Sequence, residues 1–411
     1  MENKYKITKV ACYMTNVSMA MTSCMPPLLF LTFNKAYNIS FTLLGLLAVA
    51  CFGIQLFIDL VFTFFAKHFN LHLTLKTMPL FSAFGLLFYA LMPLLFPQNA
   101  YAFLFVGTLM FSVSAGLAEV LISPLVAAIP SDNPEKEMSK LHAVYAWGVV
   151  AVVIISSILL QLLGGENWFL LPCIWSLLPI ATFIAFSFAA LPCISVGNGE
   201  RGIKFPKGIF LLFLCIFLGG AAENSMTQWC SSFLEKSAGL PKTVGDVFGL
   251  ALFALLLGLG RTLYGKFGKN ILNTLLACMT SSFVCYVVAA ISPSPIVSLI
   301  ACVLTGFCVS MLWPGTLILM EEKYASVGVA AYALMAAGGD AGCSVGPQMV
   351  GAVTDAVLSF EGATELAQTF GLTADQMSMR VAILCASLFS LIGIFLLIGI
   401  KHFFKNKEKT R

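Results

Sequence analysis

The stretch LPCISVGNGERGIKFPKG, residues 191–208, is the one sizeable polar and basic break in an otherwise apolar chain. It divides the 411 residues nearly in half. On each side lie six runs that are long and apolar enough to cross a bilayer, which takes about 20 residues. The break therefore predicts an all-α membrane protein with twelve transmembrane helices in two pseudo-symmetric six-helix bundles.

The predicted organisation is an N-terminal bundle over 1–193, a cytoplasmic linker over 194–206 and a C-terminal bundle over 207–411. The predicted spans are 9–32, 41–66, 76–96, 101–129, 140–163, 168–190, 207–234, 243–264, 271–291, 296–320, 325–357 and 377–400.

Composition excludes a soluble protein, because only 10% of the residues are charged and 59% are hydrophobic, whereas soluble domains carry about 25% charged residues. With the N-terminus inside, only four of the 23 basic residues fall on the outer side. The positive-inside rule then places both termini in the cytoplasm and the chain, as a multi-pass protein, in the plasma or inner cell membrane. The outer four are Lys35, Lys236, Lys242 and Arg380.

The net charge of +4 follows from this topology and requires no nucleic-acid partner. The thirteen cysteines are scattered without a C-x-x-C pair, so they read as small apolar residues and not as metal ligands. GRTLYGKFGK, residues 260–269, has Phe267 where a phosphate-binding loop needs a hydroxyl. We therefore expect no cofactor, no metal and no enzymatic activity, and a proton or sodium gradient as the energy source. The expected partners are the lipid bilayer and a small solute, with no obligate protein partner.

Three residues of the first half recur 190 positions later, which supports an internal repeat. The pairs are Gly116 with Gly306, Pro124 with Pro314, and Gly148 with Gly338.

Glu119 is the only Asp, Glu, Lys or Arg between Phe103 and Ile129. A charge at the bilayer centre costs at least about 2.5–3.5 kcal/mol, and such residues mark ion and substrate paths. Ser112, Gly116 and Ser123 share its helical face, which predicts that this face avoids lipid. The alternative is a protonated carboxyl that bonds a neighbouring helix.

Glu223 opens the most polar segment inside a span, GGAAENSMTQWCSSF at 219–233. Carboxylate, amide and hydroxyl groups beside an indole suit a hydroxylated solute, and hydrogen bonding between helices is the alternative. The segment adds Asn224, Thr227, Gln228 and Trp229 as substrate-binding candidates.

Asp340 and Asp59 are the remaining acidic residues predicted well inside spans. Asp340 is a candidate for proton coupling or gating, and the Gly338, Gly342 and Gly346 spacing around it predicts close helix packing. Asp59 with Gln55 one turn earlier is a candidate gate or interdomain contact.

Other polar or aromatic residues in the spans complete the candidate set. Asn16 and Ser23 share one face of the first span, and Tyr145 lies one turn beyond His142 in the fifth. His142 is assigned to the cytoplasmic entrance. Trp313 precedes Pro314 and is either a gate aromatic or a packed side chain. Thr373-x-x-Gln376 predicts a capping box at the start of the last helix.

Twelve spans, a central basic loop and GRTLYGKFGK together resemble the major facilitator superfamily. Within it, GLAEVLISPLVAAI, LHAVYAWG, GGAAENSMTQW and GFCVSMLWPG resemble the fucose-permease-like branch, whose E-x-x-x-x-P motif is matched by Glu119 and Pro124. Arg261 in the GRTLYGKFGK loop is accordingly a gating or interdomain candidate. Two features depart from the pattern: Pro26 or Pro27 replaces an aspartate of the first span, and FFAKHFNLHL lacks the superfamily's first-half loop motif.

The resemblance implies a sugar–proton symporter that works by alternating access, with Glu119 as the protonatable group and Glu223 or Asp340 as substitutes. A multidrug–proton antiporter and an uncoupled facilitator are the alternatives within transport. A membrane sensor or intramembrane enzyme is the alternative of another class.

Overall fold

The computed structural model describes residues 2–65, 68–130, 134–192, 207–267, 270–324 and 328–409. Within these ranges the chain is helical, with short connections. The predicted linker 194–206 lies outside the described residues. The chain separates into two compact units, one of residues 1–39 with 50–199 and one of residues 40–49 with 200–411. Helix α2 contributes to both units, since its first nine residues belong to the second.

The first unit contains the helices that precede the central break. They are α1 (Lys6–Tyr37), α2 (Phe41–Phe65, from residue 50 onward), α3 (Leu71–Leu95), α4 (Ala100–Ala127), α5 (Pro134–Leu163), α6 (Leu170–Trp175) and α7 (Leu177–Phe188). Short 3-10 turns cover Glu2–Tyr5, Pro97–Asn99 and Gly165–Asn167.

The second unit contains the remaining helices and one π-helical segment, Gly245–Ala251. The helices are α8 (Lys207–Lys236), α9 (Lys242–Val244), α10 (Leu252–Phe267), α11 (Ile271–Ile291), α12 (Pro295–Val309), α13 (Leu312–Lys323), α14 (Gly328–Leu358), α15 (Ala363–Thr369) and α16 (Ala374–Lys409).

Each of the twelve predicted spans coincides with helix in the described ranges. Nine of these helical segments are long and apolar enough to cross a membrane, and the predicted spans 9–32, 140–163 and 325–357 coincide with α1, α5 and α14. The sixth span consists of α6 and α7 and the tenth of α12 and α13, because the α-helix is interrupted near Ser176 and Ser310. The predicted all-helical architecture is confirmed.

The repeated glycines make equivalent helix contacts in the two units. A methyl group on Gly148 of α5 would lie 3.4 Å from the Cα of Val17 on α1. The corresponding methyl on Gly338 of α14 would lie 2.8 Å from the Phe213 ring on α8. The first and fifth helices of each half therefore meet where a side chain is missing, as the shared offset predicts.

Asparagine caps give further evidence of the repeat. The Asn70 side chain accepts a hydrogen bond from the Leu73 amide at 3.1 Å and begins α3. The Asn270 side chain accepts one from the Asn273 amide at 3.0 Å and begins α11, the equivalent helix of the second half. Such caps satisfy backbone donors that the first helical turn leaves free.

Two local predictions from the sequence are also confirmed. In the capping box before α16, the Gln376 amide donates to the Thr373 hydroxyl at 3.2 Å and the Thr373 amide donates to the Gln376 side chain at 3.0 Å. Gly342 of the small-residue series packs against α8, since a methyl there would lie 2.0 Å from the Phe217 carbonyl oxygen.

Candidate functional site

Two carboxyl groups from different spans lie close together in the first unit. Asp59 is on α2 and Glu119 is on α4, and a carboxylate oxygen of one lies within 4.8 Å of a carboxylate oxygen of the other. The Glu119 side chain is exposed, and Asp59 is half-buried. The sequence singled out both residues but gave no reason to place them next to each other.

A glycine on α4 allows α2 and α4 to pack closely. Gly116 lies one turn before Glu119, and a methyl group there would lie 3.1 Å from the Cα of Gln55 and 3.2 Å from the Ile58 side chain. Such distances are tight even for a methyl, so a larger side chain would push the helices apart. Gln55 itself is buried and donates to the Cys51 carbonyl oxygen of its own helix at 3.1 Å.

Because the Asp59 and Glu119 carboxyl groups are close together, their charges interact. Two negative charges within 4.8 Å of each other repel by ~3.5 kcal/mol or more at an effective dielectric constant of about 20, and by less where water screens them. A proton or a bound cation between the two groups removes that repulsion. The pair is therefore suited to exchange one positive charge with the medium.

The second unit holds an ion pair that the sequence did not reveal. The Nη2 atom of Arg261 on α10 lies 3.3 Å from a carboxylate oxygen of Glu223 on α8. The Arg261 Nε donates to the carbonyl oxygen of Ser310 at 3.1 Å, where the tenth span is interrupted. Arg261 therefore ties α8 to the gap between α12 and α13, and Glu223 has a counter-charge within its own unit.

Several polar residues near Glu223 bond to neighbouring helices. The Asn224 amide donates to the Cys343 sulfur of α14 at 2.8 Å. The Trp229 indole donates to the Pro347 carbonyl oxygen at 2.9 Å, and its side chain has no exposed surface. The Thr227 hydroxyl bonds the Glu223 carbonyl oxygen at 2.8 Å, and Gln228 is buried. Asn224 and Thr227 remain partly accessible.

Asp340 lies in the middle of α14 and is 4% exposed. The Ser344 hydroxyl bonds its carbonyl oxygen at 2.9 Å. The neighbouring residue, Gly339, leaves room for the Trp313 ring, since a methyl there would lie 2.1 Å from the indole. Trp313 is therefore packed against α14 at the turn that carries Asp340.

The remaining solute-binding candidates of the first unit differ in how accessible their side chains are. Asn16 is buried and its amide donates to the Leu141 carbonyl oxygen at 2.7 Å, which links α1 to α5. Ser23, Ser123 and Tyr145 are each partly accessible. The side chain of His142 lies outside the described part of the chain.

Sequence reasoning missed Asp246, which is 1% exposed within the π-helical segment. Its carboxylate accepts a short hydrogen bond from the Ser231 hydroxyl and lies 3.6 Å from the Lys242 ammonium. The i,i+4 spacing of Lys242 and Asp246 was the available signal. Both residues lie at the edge of a predicted span, where charged side chains are common and do not by themselves mark a site.

The fold and these sites define a class, that of all-helical multi-pass membrane proteins with acidic residues inside the spans. The family model of the Major Facilitator Superfamily matches residues 11–347. The chain therefore belongs to the major facilitator superfamily of secondary transporters, which are not enzymes and move small solutes across membranes. An uncharacterised MFS-type transporter of Yersinia pestis is 26% identical over 269 residues, which are 63% of this chain and 68% of the relative.

Solved structures with similar folds cover almost the whole chain. The bacterial homologue of the human lysosomal transporter Spinster, in its inward-facing and occupied conformation, aligns with a TM-score of 0.70 and 12% identity over 96% of both chains. The nucleoside transporter NupG gives 0.67 and 12% over 95% of this chain and 98% of the other. A D-xylose–proton symporter gives 0.68 and 13% over 93% and 96%. These similarities establish the fold.

Proposed function

We propose that the protein is a proton-coupled symporter of a small, polar, sugar-like solute, with both termini in the cytoplasm. The observation that carries the coupling is the Asp59–Glu119 pair, whose carboxylate oxygens approach within 4.8 Å. Glu119 is the member that exchanges the proton, because its side chain is exposed whereas Asp59 is half-buried.

Coupling follows from the charge of this pair. With both groups ionised, the pair places two negative charges inside two neighbouring membrane-spanning helices, which is costly. One proton relieves the repulsion and changes which arrangement of α2 and α4 is favoured. A ligand shifts such an equilibrium only by its differential affinity for the two states. A solute that binds better to the protonated state is therefore carried together with the proton.

Polar groups that remain accessible support a hydroxylated solute. In the second unit, Asn224 and Thr227 on α8 present amide and hydroxyl groups that are not fully buried. In the first unit, Ser123 on α4 and Ser23 on α1 present hydroxyl groups that are also partly accessible. Directional hydrogen bonds from such groups, with aromatic rings nearby, are the usual means of binding a sugar. The resemblance of the α4 motif to fucose permeases points to the same solute class, and the fold is compatible with it, since a D-xylose–proton symporter shares it.

The test is a transport screen in proteoliposomes that contain a pH-sensitive dye. Sugars, polyols, nucleosides and hydrophobic cations are added one at a time, in sodium-free buffer and again with sodium. The proposal predicts that at least one sugar or polyol drives proton uptake without sodium, and that the Glu119→Gln variant abolishes this signal. Glu166→Gln is the matched control, because Glu166 is an exposed carboxyl in the loop before α6.

Other outcomes refute specific parts of the proposal. Solute uptake that requires sodium would assign the carboxyl pair to Na⁺, for which carboxylates with nearby hydroxyls are also suitable. Proton release on addition of hydrophobic cations would identify an antiporter. Uptake at equal rates in wild type and Glu119→Gln would identify an uncoupled facilitator.

A further inference from the structure

The connection between α14 and α16 contains a short helix, α15, whose conformation is fixed at both ends. Before its first turn, the Ala363 amide donates to the Phe360 carbonyl oxygen at 2.9 Å. After its last turn, Gly371 has a φ of +66°, and the Leu372 amide donates to the Ala367 carbonyl oxygen at 2.9 Å. This is a Schellman motif, in which a left-handed glycine lets the chain satisfy the last helical carbonyl groups. The directions of the α15 side chains are therefore well defined.

One side of α15 packs against the start of α16. Ala363 and Ala367 are buried and form a small apolar cluster with Met377 of α16. Val357 near the end of α14 and Val381 of α16 also pack against this cluster. Since α16 is long and apolar enough to cross a membrane, α15 lies beside the end of a membrane-spanning helix.

Arg380 of α16 relates this level to the end of a second span. Its guanidinium donates to the carbonyl oxygens of Ala290 at 3.3 Å and Ser292 at 2.7 Å, where the membrane-spanning helix α11 ends. Met377 lies three residues before Arg380, which is about 4.5 Å along the helix axis. The interfacial layer on each side of the hydrocarbon core is about 5–8 Å thick. Because α15 packs on Met377, it lies within or next to this layer.

The protein leaves three large apolar side chains of this connection uncovered. Phe360 is 61%, Leu366 48% and Phe370 70% exposed. Leu366 and Phe370 are one helical turn apart and share one side of α15. Thr364 and Gln368 lie on the opposite side and are also exposed. A helix with one apolar and one polar side is typical of helices that lie in the plane of the membrane interface.

The charge of the connection indicates which property of the bilayer it recognises. Residues 359–379 contain no lysine or arginine. Glu361 and Glu365 are acidic and exposed, and the Asp375 carboxylate lies 3.0 Å from the Lys236 ammonium. Interfacial helices that depend on anionic lipids are rich in basic residues. The affinity of α15 for a bilayer therefore rests on the burial of apolar surface.

We propose that α15 is an interfacial helix that inserts Leu366 and Phe370 into the boundary between lipid headgroups and acyl chains. Its partner is the bilayer that surrounds the membrane-spanning helices, irrespective of headgroup charge. The side with Thr364 and Gln368 faces water. This contact fixes the connection between α14 and α16 at the membrane surface.

Two tryptophan variants on opposite sides of α15 test the proposal. Phe370→Trp places an indole on the apolar side, and Gln368→Trp places one on the polar side two residues away. Each full-length variant is reconstituted in phosphatidylcholine vesicles. The wild-type fluorescence is subtracted to remove the signal of the five native tryptophans. Quenching is measured with lipids brominated near the headgroup end of the chains and, separately, with acrylamide in the water.

The two variants should respond in opposite ways. For Phe370→Trp, we expect brominated lipid to remove the added fluorescence and acrylamide to leave it. For Gln368→Trp, we expect acrylamide to remove it and brominated lipid to leave it. Leu366→Trp lies on the apolar side and should behave like Phe370→Trp, so the test holds if one of these two variants does not fold. Replacing part of the phosphatidylcholine with phosphatidylglycerol should leave these results unchanged.

Three results would contradict the proposal. Equal acrylamide quenching on both sides of α15 would show that the apolar side faces water. Protection of Phe370→Trp and Leu366→Trp from both quenchers would show that a protein surface, such as a second copy of the chain, covers this side. Lipid quenching that requires phosphatidylglycerol would refute the independence from headgroup charge. No solute is transported in these measurements, so their outcome is independent of the proposed symport.

Discussion

The guanidinium of Arg261 on α10 lies 3.3 and 3.4 Å from the two carboxylate oxygens of Glu223 on α8. The pair is only partly solvated, since the side chains are 41% and 17% exposed. The ion pair explains why an acidic residue is tolerated in the middle of the apolar helix α8, because α10 of the same unit supplies the counter-charge.

This pair predicts a non-additive effect of mutation. Arg261→Ala leaves the Glu223 carboxylate without its counter-charge and should lower the thermal unfolding temperature more than the double variant Arg261→Ala/Glu223→Gln does. We expect a coupling energy of about 1 kcal/mol, since partial exposure places the pair between surface and buried ion pairs. Additive losses in a double-mutant cycle would show that the two charges do not stabilise each other.

Asp355 supplies a cap to the start of α2 from a distant part of the chain. Its carboxylate accepts hydrogen bonds from the backbone amides of Phe41 at 3.0 Å and Thr42 at 2.6 Å. Asp355→Ala should destabilise the protein by about 0.5–2 kcal/mol, the range for a lost helix cap. Thermal unfolding in detergent measures the loss. Asp375→Ala removes an exposed partner of Lys236 and should cost less; an equal loss in both variants would refute the capping role.

The close approach of α2 and α4 predicts opposite effects at two glycines. Gly116→Ala places a methyl 3.1 Å from the Cα of Gln55, whereas a methyl on Gly53 meets no atom within 4 Å. Gly53→Ala should therefore be neutral or stabilising by up to ~1 kcal/mol through helix propensity, and Gly116→Ala should lose both stability and transport rate. Equal behaviour of the two variants in unfolding and uptake assays would contradict the packing argument.

Glu137 lies at the membrane boundary, before the apolar part of α5. From the pKa of its carboxyl group we predict that the stability of the protein depends on pH. Hydrogen bonds from Lys140 and Lys9 hold the pKa of its carboxyl below its usual range. A lowered pKa in the folded state means that this stabilisation is present above the unfolded-state pKa of about 4.3 and is lost as the pH falls through the folded-state value.

The matching variant is Glu137→Gln. It should unfold at a temperature lower by about one to two degrees at about pH 7, because the ion pairs of Glu137 are partly exposed and such pairs contribute little. It should unfold at the same temperature as wild type once the wild-type carboxyl is protonated. A difference that stays constant from neutral to acidic pH would show that the loss comes from packing and not from charge.

The positions of the helices could be predicted from the sequence, whereas most contacts between helices could not. Hydropathy located the spans because each must be apolar over its length, and Thr373 with Gln376 fixed a cap through purely local chemistry. Contacts between distant helices left no such signal: nothing in the sequence relates Asp355 to Phe41, 314 positions apart.

The same holds for the candidate site, whose residues could be predicted from the sequence but whose contacts could not. The cost of a charge in a membrane singled out Asp59, Glu119 and Glu223, but their neighbours depend on helix rotation, which a local pattern does not fix. Trp229 illustrates the difference, since its indole bonds the Pro347 carbonyl oxygen and is fully buried in the structure. Its assignment to solute binding stays a prediction, and the proposed function does not depend on it.

The role of Glu119 is tested most directly by comparing two transport modes of one variant. Counterflow exchanges labelled for unlabelled solute and needs no net proton movement, whereas accumulation in a pH gradient does. For Glu119→Gln we predict counterflow within about twofold of wild type, a change of under ~0.5 kcal/mol in transition-state free energy, and no accumulation. Accumulation at the wild-type level, or the loss of both modes, would contradict the assignment of proton coupling to Glu119.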